Sequence, residues 1–209
     1  MDKKNWPKAI WPHLDRPKPS LSKQKKRLVV YDFDNTLFKS PTKEVGEEAY
    51  LEATGEMWPF QGWYGRVETM LPPLVPNVAP DEMWIQDTVE GFRADSKRSD
   101  THVVMMTGRP YKWRWRIRQL LDSQGLVPDE DHYRGCPTHP RGSDTISIKL
   151  HVLKDWLIHQ KLEIVEVWED RPEHSSIFMT ELKRLKDNGS NSLSEAVVHD
   201  LSSGKICKF

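Results

Sequence analysis

At 209 residues and 24.4 kDa, with 37% hydrophobic and 30% charged residues, the chain is long enough for one buried core, and its apolar runs exclude global disorder. The formal charge is zero, yet residues 1–27 hold nine Lys and Arg against two Asp and Glu, so the remainder is net acidic. No stretch approaches the roughly 20 apolar residues of a membrane span, and Cys136 and Cys207 stand far apart without a CxxC partner, which argues against zinc and a disulfide framework.

Residues 1–26 read as a basic arm in which Pro7, Pro12, Pro17 and Pro19 prevent regular packing. Its charge suits a polyanion, and Trp6 and Trp11 suit either stacking on bases or docking on the domain. A solubilising tail fits the same composition. With no apolar signal-peptide core at the start, a cytoplasmic protein is expected.

The domain, 27–209, opens on a buried strand, Leu28-Val29-Val30-Tyr31, that runs directly into Asp32-Phe33-Asp34-Asn35-Thr36-Leu37. Alternate side chains of a strand share a face, so Asp32 and Asp34 emerge side by side where the strand ends. Two clustered anions are costly without a cation, and a divalent metal relieves that cost.

Pro41 ends regular structure and begins an insertion of about 39–100. Glu44 to Ala53 suits a short helix, whereas Trp58 to Gly65 is aromatic, glycine-rich and aperiodic, and Pro72, Pro73, Pro76 and Pro80 follow it. A helix is expected to start at Asp81-Glu82, with Met83, Trp84, Val89 and Phe92 on one face.

Thr101 to Met106 reads as a second buried strand, ending in Thr107-Gly108-Arg109-Pro110. A helix follows from Tyr111 to Gln124, stopped by Gly125; Tyr133 marks a short third strand, and Thr145 to Gln160 another helix. Leu162 to Trp168 is strand-like and ends in Glu169-Asp170-Arg171-Pro172; Glu173 to Lys186 is helical, and Ala196 to His199 is a final strand. Strands alternating with helices predict a parallel α/β sheet, with ligands gathered beyond the carboxyl ends of the strands.

The ordered set Asp32-x-Asp34-x-Thr36, Thr107-Gly108, a lysine at a helix start and Glu169-Asp170 resembles the motifs of the haloacid dehalogenase (HAD)-like phosphatases. The wording Phe-Asp-Asn-Thr-Leu-Phe, Gly62-Trp63-Tyr64, Thr107-Gly108-Arg109 and Glu169 to His174 is similar to the Swiss Army Knife RNA repair branch. More distantly, it is similar to the phosphatase half of polynucleotide kinase-phosphatases. The resemblance spans roughly residues 27 to 200 and implies a Rossmannoid three-layer sandwich with a loop-rich aromatic insertion after the first strand.

That resemblance implies Asp32 as the nucleophile on phosphorus and Asp34 as general acid, then base. It implies Mg2+ held by Asp32, the Asp34 backbone carbonyl and Asp170, with Glu169 bound directly or through water. Thr107 and the backbone N–H groups near Gly108 would hold the phosphoryl group, and Lys149 would balance it, with Lys154 as the rival lysine. Arg109 and Arg171 each present a planar fork to a second phosphate or to a carboxylate, Arg171 equally to a structural ion pair.

The implied substrate is a nucleic acid 3′-phosphate end, with kinase or ligase functions on separate proteins. A small-metabolite or nucleotide phosphatase on the same scaffold and a non-catalytic nucleic-acid-binding or phospho-receiver module stay open beside it. Order favours hydrolysis over a receiver, because Asp32 ends the first strand while the acidic pair comes late. The run Trp113-Arg114-Trp115-Arg116 divides between core and solvent faces, with nucleic-acid contact as the other reading. His139, His151, His174 and His199 are scattered along the sequence and read as surface residues, not as a metal site.

Overall fold

Leu28 and Val30 point to one side and Val29 and Tyr31 to the other, and a strand buried on both faces belongs in the middle of a layered molecule. In the computed structural model, which describes residues 25–139, 142–189 and 192–209, this strand is β1 (Arg27–Asp32). It lies parallel between β2 (Thr101–Pro110) and β4 (Ile164–Glu169). β3 (Glu130–Arg134) joins β2, and β5 (Glu195–Asp200) joins β4, both parallel. The last strand, β6 (Lys205–Lys208), pairs antiparallel with β5, giving the order β3-β2-β1-β4-β5-β6.

Two apolar cores sandwich this sheet. Val29, Tyr31, Val103 and Met105 face α2 (Gln86–Ser96) and α3 (Arg114–Ser123), which bring Val89, Phe92, Ile117 and Leu120. Leu28, Val30, Val104, Val165 and Val198 face α4 (Thr145–His159) and α5 (Pro172–Asp187), which bring Val152, Leu153, Phe178 and Leu182. The expected three-layer α/β sandwich is therefore present. Its helices change sides across β1, so the crevice beyond β1 and β4 is where such a sheet accepts a ligand.

The insertion opens with α1 (Lys43–Thr54), capped by Thr42 and closed by Gly55 in the left-handed region at φ 73°. Gly46 of α1 lies flat on Trp63, where a Cβ would fall 2.1 Å from the indole. Arg116 holds the loops that follow: fully buried, it donates to the carbonyls of Met70 (2.6 Å), Pro76 (2.7 Å) and Asn77 (3.0 Å). Trp113 Nε1 donates to Gly65 O at 3.0 Å, and Arg114 stacks on Tyr111. The Trp-Arg run thus fastens the insertion to α3.

Three local expectations are corrected. Met83 and Trp84 are not helical: residues 81–83 form a single 3-10 turn, and Trp84 bridges Phe38 in extended conformation with its ring 5.0 Å from Phe38. Pairing of Lys39 N with Met83 O and of Ile85 N with Leu37 O outweighs the helical periodicity there. Ala196 to His199 is not the last strand: Asp200 accepts from Ser202 and Ser203, the chain turns back at Gly204, and β6 adds one antiparallel edge to the parallel sheet. Several histidines read as surface residues are not: His139 is buried, and His199 is half-buried, bonded to Glu166 at 2.6 Å and stacked on Trp168.

Of the predicted basic arm, residues 1–24 lie outside the described residues. Lys25 and Lys26 pair with Asp129 and Glu163. Among the described residues, no helix is long and apolar enough to cross a membrane.

Candidate active site

Asp32 is the last residue of β1 and Glu169 the last of β4, so parallel pairing delivers both carboxylates to the same edge of the sheet, with Asp170 next in the chain. One oxygen from each of Asp32, Glu169 and Asp170 lies within 4.8 Å of the others. Lys149 reaches this group from the first turns of α4, its Nζ 2.6 Å from Asp32 Oδ1 and 2.6 Å from Glu169 Oε2. Asp144 caps that helix by accepting from Ser147 N. The rival Lys154 pairs with Glu181 on the surface.

Three carboxylates share one ammonium, so burial and mutual repulsion are offset unequally among them. Burial raises the Asp32 pKa well above the ordinary range; Lys149 opposes this, while Glu169 and Asp170 push it further up. For Glu169 burial also raises the pKa, but the charge of Lys149 and hydrogen bonds from His174 and Lys149 outweigh it, and the carboxyl falls to about 2. Asp170 is raised to about 6, first by burial and then by Glu169.

The Asp170 Oδ1 atom is buried without a hydrogen-bond partner. A buried, unsatisfied carboxylate oxygen beside two other carboxylates is what a hard divalent cation satisfies. The donor set therefore fits Mg2+.

Asp34 belongs to a separate pair. The Arg109 guanidinium grips it with Nε 3.0 Å from both oxygens and Nη2 2.7 Å from Oδ1, and Ser40 Oγ donates to the same carboxylate. Burial alone would raise the Asp34 pKa; the charge and hydrogen bonds of Arg109, with Ser40, outweigh it and hold the carboxyl below its ordinary value. Arg109 is itself buried, and its Nη1 donates to Thr69 Oγ1 (2.7 Å) and Tyr64 O (3.2 Å). One guanidinium thus ties the insertion to the acidic edge.

Thr107 Oγ1 stands 3.5 Å from Asp34 Oδ2 and accepts from Arg109 N at 3.1 Å. Gly108 is required by a close approach: a Cβ there would lie 2.8 Å from Thr145 Oγ1, so its absence lets α4 seat against β2 and carry Lys149 inward. Asn35 takes φ 54° in the turn after Asp34, a conformation asparagine tolerates, and its side chain bonds Asp170. Arg171, half-buried at the start of α5, acts electrostatically on both Asp34 and Asp170.

The structure brings Asp32, Lys149, Glu169 and Asp170 into one cluster, and Asp34, Thr107 and Arg109 into another beside it. Ser40 and Thr69 carry no sequence signal, since a lone hydroxyl leaves no pattern, and Tyr64 is marked only within the Gly62-Trp63-Tyr64 run, which gives no sign that its carbonyl holds Arg109. His174, read as a surface residue, is mostly buried with Nδ1 3.3 Å from Glu169 Oε1. Its place in the quoted Glu-Asp-Arg-Pro-Glu-His run, one helical turn past Asp170, was the available signal.

Comparison with known proteins agrees with this architecture. The family model described as HAD domain family 1 in Swiss Army Knife RNA repair proteins matches residues 62–204. That span includes Thr107, Gly108, Arg109, Lys149, Glu169, Asp170 and Arg171, while Asp32 and Asp34 precede it. The Legionella pneumophila effector Ceg4 is similar in structure, with TM-score 0.50 and 16% identity over 89% of this chain and 91% of that one. A chain of the Pnkp1/Rnl/Hen1 complex gives TM-score 0.45 and 13% identity over 79% of this chain, which spans only 48% of that chain.

Proposed function

The chain belongs to HAD domain family 1 of the Swiss Army Knife RNA repair proteins, and from that premise we propose that it is a Mg2+-dependent phosphomonoesterase that removes 3′-phosphates from nucleic acid ends. The observation that carries the reading is Asp32 at the end of β1, with Lys149 2.6 Å away and Glu169 and Asp170 completing a carboxylate group. Asp32, Glu169 and Asp170 would hold Mg2+, which when bound neutralises the carboxylates and the phosphate oxygens.

An Asp32 oxygen attacks phosphorus, and the bond from phosphorus to the ester oxygen breaks, leaving phosphate on Asp32. Asp34 protonates the departing oxygen, for which the Arg109 clamp must slacken so that the carboxyl can carry a proton. Water then attacks the phosphorus of the aspartyl-phosphate, Asp34 takes its proton, and inorganic phosphate and Asp32 are released. Thr107 and the backbone around Gly108 steady the phosphoryl oxygens, and Lys149 offsets their charge.

The repair context of the family and the half-exposed aromatics Trp58, Phe60 and Tyr64 of the insertion support a nucleic acid substrate. The test presents end-labelled oligonucleotides with 3′-phosphate, 5′-phosphate or 2′,3′-cyclic phosphate, with Mg2+ and with chelator. Mg2+-dependent loss of the 3′-phosphate alone is expected. Equal hydrolysis of mononucleotide 3′-phosphates, insensitive to salt, would point instead to a metabolite phosphatase.

A further inference from the structure

Basic side chains from three separate parts of the chain meet around Gly65 of the insertion. Arg66 follows Gly65 directly and lies over the Phe60 ring, 5.4 Å from its centroid. Arg134, the last residue of β3, comes within 3.8 Å of where a Gly65 Cβ would stand. Trp113 Nε1 donates to Gly65 O at 3.0 Å, and Lys112 Nζ lies 4.5 Å from the centroid of the Trp113 ring. Arg114, next in the chain, lies 4.1 Å from the Tyr111 centroid.

None of Arg66, Lys112, Arg114 and Arg134 forms an ion pair among the described residues. Several exposed cations elsewhere do: Lys43 pairs with Glu47, Arg98 with Asp100 and Lys208 with Glu195. Lys112 and Arg134 are exposed, and Arg66 and Arg114 are half-buried. Like charges set side by side repel, and a polyanion laid across them removes that repulsion. In a chain of zero formal charge, this patch therefore carries a sign that the whole lacks.

The patch begins at the active site. Arg109, which grips Asp34, lies 5.1 Å from the centroid of the Tyr64 ring, and Tyr64 adjoins Gly65. Arg134 is paired in register with Pro110, one residue past Arg109. The cations thus extend from the carboxyl edge of the sheet outward over the insertion. A guanidinium over a ring is held in place while its N–H edge stays free for phosphate oxygens, and a base stacks on its plane. Half-exposed Phe60, Tyr64 and Trp113 add aromatic surface between the charges, the combination that binds single strands whatever their sequence.

We propose that Arg66, Lys112, Arg114 and Arg134 form a track for single-stranded polynucleotide, seating the phosphodiester backbone of the nucleotides behind the end presented to Asp32. This deepens the nucleic acid phosphatase reading and rests on it only for which end of the strand meets Asp32.

The test is fluorescence anisotropy of the full chain with a single-stranded octanucleotide bearing a 3′-hydroxyl, in chelator, so that binding is read apart from hydrolysis. Wild type is compared with two double variants, both confined to exposed side chains: Lys112→Gln/Arg134→Gln, and Lys97→Gln/Lys161→Gln, which removes the same charge near the amino ends of β2 and β4. In the first, affinity should fall at least about tenfold, and the slope of log affinity against log salt should shrink by about 1.4, at roughly 0.7 per lost phosphate contact. The second should bind as wild type does. Equal affinity and slope in wild type and the first variant, equal losses in both variants, or a blunt duplex bound as tightly as the single strand would overturn the track. A 3′-phosphorylated octanucleotide that shows the expected losses in binding but is not hydrolysed with Mg2+ would reject the phosphatase reading and uphold the track.

Discussion

Arg109 and Asp34 form a closed, buried pair: the guanidinium contacts both carboxylate oxygens, and its remaining nitrogen is bound by Thr69 and the carbonyl of Tyr64. The residue proposed to move protons is thus held ionised by a cation anchored in the insertion. Movement of the 64–69 segment would release the carboxyl and raise its pKa, coupling the insertion to proton transfer.

Replacing Arg109 with Gln should destabilise the fold by about 3–5 kcal/mol, the cost of stranding one charge of a buried pair. The wild-type pair acts on a depressed carboxyl pKa, so its contribution is present above the unfolded-state value near pH 4 and is lost as pH falls through the lower folded value. Denaturant melts across pH should therefore show a neutral-pH loss in the variant and a smaller further decline in acid than wild type.

Asp32→Asn should lower turnover by at least about a thousandfold without unfolding the protein. Because burial raises the Asp32 pKa beyond what Lys149 offsets, removing this carboxyl from a group of three should leave the metal-free melting temperature unchanged or higher. Steady-state kinetics beside thermal melts check both halves; a variant as active as wild type would reject Asp32 as nucleophile.

Asp170, raised to about 6, keeps its proton in the folded metal-free protein at a pH where the unfolded chain has lost it. Stability should therefore decline as pH rises from about 4 through about 6, and Mg2+ should restore it above that range, where proton competition ends. Melting temperatures with Mg2+ and with chelator, between pH 4.5 and 8, test this. Asp170→Asn should flatten both curves.

Gly108→Ala would set a methyl 2.8 Å from Thr145 Oγ1 and 3.1 Å from its Cγ2. A loss of about 1–3 kcal/mol is expected from this overpacking, with reduced activity as α4 and Lys149 shift. Thr145→Ala in the same chain should recover most of the stability. A Gly108→Ala protein as stable and active as wild type would show that α4 adapts freely.

The alternation of strands and helices up to β5, and the carboxylates at the strand ends, are legible along the chain. Both are local properties: alternation buries a strand, and the residue that ends it must lie on the sheet's edge, as with Asp32 and Glu169. Trp84 marks the limit of such local reading, since its helical spacing yielded to a backbone pairing with Phe38, a contact 46 residues away.

Which carboxylate each cation meets depends on the folded arrangement. Arg109 and Lys149 were both visible as charges near strand or helix starts, but Coulomb energy depends on separation and local dielectric, which no spacing reports. Packing of α4 on Gly108 sends Lys149 to Asp32, and the insertion folds back so that Thr69 and Tyr64 steer Arg109 onto Asp34. The same packing turns dispersed histidines of β3 and α4 into the walls of one cavity, because side chains far apart in the chain become neighbours only when helix and strand meet.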